Sequence, residues 1–148
     1  MLESILILFE LYFPSILYKS FNITPAFFLL LILFVAFKYG RKRAILIAFL
    51  FGFIKDILIQ YSWFGFITLL TSAFAYIIGY SVKVNDIKIK YMIFTLLLLV
   101  YFYFHYLFQF SASFTVYLEL SFIRTLTTII SCFAINLISN KRYRFFEK

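Results

Sequence analysis

Ala26-Phe27-Phe28-Leu29-Leu30-Leu31-Ile32-Leu33-Phe34-Val35-Ala36-Phe37 carries no polar side chain and gives way abruptly to Lys38-Tyr39-Gly40-Arg41-Lys42-Arg43. The run does not alternate, so it is not a half-buried strand, and it offers water no face, so as a helix it needs apolar surroundings on every side. Composition says what those surroundings are. The chain has 148 residues, 65% hydrophobic, 24% aromatic and only 14% charged, with a mean hydropathy of +1.01. A soluble domain is about a quarter charged. Fourteen basic and six acidic side chains cannot clothe this one, so most of its solvent is lipid. A transmembrane barrel is excluded because Ile93–Tyr103, like Ala26–Phe37, lacks the alternation its strands require. Four Gly and two Pro leave little room for irregular loops, so nearly every residue is expected to be helical.

Three basic clusters punctuate the chain: Lys38 with Arg41, Lys42 and Arg43; Lys83 with Lys88 and Lys90; and Lys141 with Arg142, Arg144 and Lys148. Short loops rich in Lys and Arg stay cytoplasmic, so an even number of spans should separate each pair of clusters. The interval from Arg43 to Lys83 holds two spans joined near Gln60-Tyr61-Ser62-Trp63, and that from Lys90 to Lys141 holds two more, broken at Ser111-Ala112-Ser113. Glu3, Glu10, Pro14 and Lys19 interrupt the first apolar segment, which divides best into two short spans turning at Phe21-Asn22-Ile23-Thr24-Pro25. Pro25 suits the first turn of a helix, where its missing N–H costs little. The expectation is an all-α, six-span helical bundle forming one polytopic domain over residues 1–148. Its spans lie at about 4–18, 23–37, 44–60, 64–82, 91–110 and 117–139, with a basic tail at 140–148. Both termini of this inner-membrane protein are expected in the cytoplasm. Met1-Leu2-Glu3-Ser4 lacks the basic start of a signal peptide, so the first apolar stretch is expected to stay in the mature protein.

The tail Lys141-Arg142-Tyr143-Arg144-Phe145-Phe146 mixes cations and rings as a nucleic-acid patch would, but beside a span it is read as a headgroup anchor meeting anionic lipid, with no nucleic acid involved. Cys132, set in Ile129–Ile135, has no second thiol and is read as packing.

Ionisable groups at membrane depth cost several kcal/mol unless paired or wet, so each needs a reason. Lys55 and Asp56 fall late in the third span, His105 late in the fifth, Arg124 early in the sixth and Glu10 midway through the first. At about 1.5 Å per residue, Asp56 lies roughly 6 Å and Arg124 roughly 10 Å inside the outer boundary. Asp56, Arg124, His105 and Lys55 are therefore a candidate buried polar cluster. It is either an internal pair of Asp56 with Arg124, with Lys55 reaching the headgroups, or an outward pocket for a ligand or a partner's side chain. The inner halves of these spans offer only Ser131 and Cys132, too little for an ion path. Ala44, Ala48 and Gly52 recur every four residues up to Asp56, and Ala75 and Gly79 do likewise in the fourth span. Small residues let helix backbones approach in lipid, within one bundle or against a second copy of the chain in a homo-oligomer. No nucleophile–base pair, phosphate-cradling loop or metal-ligand cluster is visible, so neither catalysis nor a cofactor is expected.

The segment Pro25 to Tyr80 adds something more specific. Pro25 opens an apolar span, and a basic loop with Gly40 leads to Gly52-Phe53-Ile54-Lys55-Asp56. Trp63-Phe64-Gly65 follows, and then a span closing on Ala75-Tyr76 and Gly79-Tyr80. This resembles the rod shape-determining protein MreD family, with Ala26 where members often have an acidic residue and Lys55 where they usually have an apolar one. The resemblance implies a non-catalytic membrane scaffold of the bacterial cell-elongation complex, binding MreC and, directly or through it, RodA and a class B penicillin-binding protein in support of peptidoglycan synthesis. It also implies a fold similar to the substrate-binding S components of energy-coupling factor vitamin transporters, which supplies the alternative function. Those proteins dock through an Ala-x-x-x-Ala pair in the first span, and Leu2–Tyr18 contains no alanine.

Overall fold

The computed structural model describes residue 10 and residues 15–18, 21–59, 63–109 and 113–138. In chain order these form β1 (Ile16–Tyr18), β2 (Phe21–Ile23), α1 (Phe27–Tyr39), α2 (Arg41–Ile59), α3 (Phe66–Ser81), α4 (Ile87–Gln109) and α5 (Phe114–Ile138). The expected first span lies outside the described residues except at Glu10, which is helical, and at residues 15–18. The basic tail at 140–148 lies wholly outside them.

The expectation of helix throughout needs one correction. β1 and β2 pair antiparallel, with Ile16 opposite Ile23, Leu17 opposite Asn22 and Tyr18 opposite Phe21. Ile16, Tyr18, Phe21 and Ile23, aromatic or β-branched, favour extended backbone, and pairing gives the N–H and C=O groups partners that lipid does not supply. The helix of this apolar segment consequently starts at Phe27.

The basic stretch after α1 is not a loop either. Gly40, at φ +88°, is the entire connection: its N–H donates to the Ala36 carbonyl at 3.1 Å, and its own carbonyl accepts from Ala44 N at 3.3 Å. That left-handed backbone closes one helix and opens the next, a conformation glycine adopts without a Cβ penalty. Arg41, Lys42 and Arg43 thereby become the exposed first turn of α2. Lys88 and Lys90, also expected in a loop, lie in the first turn of α4 because Asp86 Oδ1 accepts from Lys88 N at 2.8 Å and starts the helix early. Lys90 is buried, with its ammonium over the Phe37 ring, 5.4 Å from the ring centre.

Of the described helices, α4 over Ile87–Phe108 and α5 over Phe114–Ile135 are long and apolar enough to cross a membrane. Residues of α1 and α3 number 13 and 16. At about 1.5 Å per residue such helices fall short of a ~30 Å hydrocarbon core. Every residue of α1 from Phe27 to Phe37 is buried. By contrast, α4 exposes Met92, Leu96, Val100, Phe104 and Leu107, and α5 exposes Phe114, Leu118, Phe122, Leu126, Ile130 and Phe133. Apolar strips of this length on an outer face are what lipid solvates and water does not. The described residues fall into two compact units, one built from residues 32–97 and one from residues up to 31 and from 98 onward.

Candidate functional site

In the unit of residues 32–97, α2 and α3 pack as an antiparallel pair and bury the polar group the sequence singles out. Asp56 is 1% exposed. Its Oδ1 accepts from Ile67 N at 3.1 Å, its Oδ2 from Thr68 N at 2.9 Å, and the Thr68 hydroxyl donates to Oδ2 as well. The reason lies at the start of α3, where the residue before the helix is Gly65, at φ +88° and with no side chain to cap the first turn. A helix start leaves four N–H groups unsatisfied and carries a partial positive charge. Asp56 reaches across from α2 and supplies both the acceptors and the countercharge.

One turn earlier on α2, Gly52 sets the distance between the helices. A methyl group there would fall 2.7 Å from the Thr68 Cα and collide with the Thr71 hydroxyl. Thr71 Oγ1 in turn lies 3.1 Å from the Ala48 carbonyl across the pair and 2.8 Å from the Ile67 carbonyl of its own helix. Ala44, Ala48 and Ala75 are fully buried, and at the other end of the pair Gly79 lies against the aliphatic part of Arg41, whose guanidinium sits 5.0 Å from the Tyr76 ring centre. The outer side of the pair is an apolar groove of about 670 Å³ lined by Phe49, Phe53, Phe64, Leu69 and Tyr76, among others. Lys55, beside Asp56, is half-buried.

The second unit has a polar site of its own. Arg124, half-buried on α5, donates from Nε to the Thr24 carbonyl at 3.1 Å and from Nη1 to the Tyr106 hydroxyl at 3.4 Å. Its guanidinium carbon lies 4.9 Å from the Phe102 ring centre and 5.7 Å from that of Tyr106. One turn on, Thr128 Oγ1 accepts from Ala26 N at 3.2 Å, and Glu10 Oε2 accepts from Phe28 N at 3.0 Å. The start of α1 is therefore capped from a distance by a carboxylate, just as the start of α3 is. His105 packs between rings, 6.1 Å from Tyr101 and 5.7 Å from Tyr106. The buried hydroxyls of Ser121, Thr125 and Thr128 each donate to a carbonyl of α5 itself. Cys132 is buried beside them.

Pairing of Asp56 with Arg124 is one of the two arrangements the sequence leaves open for this cluster; the two residues lie in different units, and within its own unit each has neutral partners. A helix start supplies the positive end that Asp56 needs, so no cation is required there. Thr68, Thr71, Tyr106 and Thr128 were not singled out in the sequence. The available signal was negative: Gly65-Phe66 and Ala26-Phe27 begin apolar helices without a capping side chain, so caps must come from elsewhere. Among the described residues, no three His, Cys, Asp or Glu come together as a metal site.

A family model described as rod shape-determining protein MreD matches residues 1–143. No curated protein and no solved structure matches the chain.

Proposed function

Because the chain belongs to the MreD family of rod shape-determining membrane proteins, we propose that it is a non-catalytic scaffold of the bacterial cell-elongation complex, binding MreC and supporting peptidoglycan synthesis. The observation that carries this reading is the length of the family match, residues 1–143, which takes in the Gly52-to-Asp56 segment and the helices on either side of it. RodA and a class B penicillin-binding protein are the further partners. The polar residues add support through what they do: Asp56 and Glu10 cap helix starts, which is work suited to a scaffold. Six spans with both termini cytoplasmic, in a bundle like that of the S components, belong to the same proposal and rest on the three basic clusters.

Pull-down of the full chain from native membranes tests it. Recovery of a one-span coiled-coil protein together with a penicillin-binding protein is the expected result, and depletion should turn rods into spheres. Recovery of paired ATPases, with normal cell shape and a vitamin requirement on depletion, would mean that the chain is a transporter S component after all.

A further inference from the structure

Glu10 and Asp56 are both answered by N–H donors, but Arg124 is not answered in kind: among the described residues its partners are a carbonyl, a phenol and two ring faces, all neutral. Arginine stays protonated in proteins, so it cannot shed its charge as a buried lysine does. A cation at membrane depth held only by neutral groups still lacks a counter-ion.

Its level in the unit indicates the source. Tyr106 is three residues before Gln109, the last residue of α4, and Thr24 is three residues before Phe27, the first of α1. The guanidinium thus lies beside a residue about one helical turn, ~5 Å, before the end of α4 and beside the segment that leads into α1. Arg124 stands ten residues, about 15 Å, into α5 from Phe114, and its long side chain leans toward that N-terminal end. Phe104 and Leu107 on α4 and Phe114 and Leu118 on α5 are exposed at this same end, so acyl chains reach it. Nε and Nη1 are engaged by Thr24 and Tyr106, which leaves the Nη2 side of the fork to bind oxygen.

We propose that Arg124 binds the phosphate of an anionic phospholipid at the end of the unit where α4 closes and α5 begins, with Tyr106 and Thr24 fixing the guanidinium for it. Arginine–phosphate contacts are charge-assisted and directional, and a phospholipid presents its anion to the guanidinium while its acyl chains lie against the apolar faces beside it.

The test is titration of phosphatidylglycerol into the purified full chain in a neutral detergent, with bound lipid counted by native mass spectrometry. Arg124→Gln is expected to weaken binding about tenfold, as loss of one charge-assisted contact would. Arg124→Lys, which keeps the charge without the fork, should fall between, and Lys88→Gln at an exposed site should bind like the parent chain. Undiminished binding by Arg124→Gln overturns the assignment. Should that variant fail to fold, undiminished binding by Arg124→Lys overturns the fork geometry in its place. Displacement of the lipid by excess inorganic phosphate would make this a free-anion site, and a photo-crosslinker at position 124 that captures an acidic membrane helix would make the counter-ion a partner's carboxylate. Either result refutes the lipid.

Discussion

At the scale of single residues, Asp56 is where the chain stores most of its risk. Asp56→Ala leaves the Ile67 and Thr68 N–H groups buried without an acceptor, and at about 1–3 kcal/mol for each the expected loss is about 3 kcal/mol. Asp56→Asn keeps one acceptor oxygen but gives up the charge opposite the helix start, so it should cost less. Thr68→Val removes a single hydroxyl while the carboxylate keeps its two N–H donors, and about 1 kcal/mol is expected. Thermal unfolding of the purified variants, with membrane abundance alongside, reads all three. Asp56 and Arg124 share no partner, so Asp56→Ala and Arg124→Ala should add in the double variant to within about 0.5 kcal/mol. A double variant more stable than Asp56→Ala alone would restore the ion pair that their depths suggested.

Between elements, the decisive contact is Gly52 against α3. Gly52→Ala drives a methyl into the Thr68 backbone, which has no room to yield unless the helices part, and overpacking of this kind costs about 1–3 kcal/mol. Gly79→Ala drives a methyl into Cγ, Cβ and Cα of Arg41, the near end of that side chain, which cannot move without its backbone, so a loss of similar size is expected in the same unfolding measurement. A negligible loss would mean that the helices can part freely at the Arg41 end. The small-residue strip also marks how far the sequence carries. The spacing of Ala44, Ala48 and Gly52 and the Gly-x-x-x-Asp pattern are visible along one helix, and they identify a close-packed face. What they pack against is set by the register between two helices, which no periodicity within either helix encodes. Hence Asp56 was legible as important while Thr68 and Thr71 were not. The hairpin at 16–23 escaped for a different reason. Its strands are three residues each, too short to show a period, and they sit in a segment apolar enough to pass as the end of a span.

For the molecule as a whole, the question is on which side of the membrane the basic residues lie. Within the unit of residues 32–97 they gather at one end: Arg41 opens α2 beside Gly79 and Tyr76 late in α3, and Lys90 opens α4 over Phe37 late in α1. Lys38 faces the rings of Phe34 and Tyr39, Arg43 that of Tyr39, and Lys83 that of Tyr80, so these cations lie along their own helix ends at that level. The structure thus draws two of the three basic clusters together, and by the positive-inside rule their end should be cytoplasmic. Ser113 lies just before α5, and α4 runs 23 residues from the end that carries Lys88 and Lys90, about 34 Å at 1.5 Å per residue, enough to cross the membrane. Replacing the one native thiol, Cys132, by serine clears the background. Lys42→Cys and Lys88→Cys should then react with an impermeant maleimide only after the cells are opened, whereas Ser113→Cys should react in intact cells. The reverse pattern inverts the topology. Reaction of Lys88→Cys and Ser113→Cys from the same side would mean that α4 does not cross, and with it the six-span reading would fall.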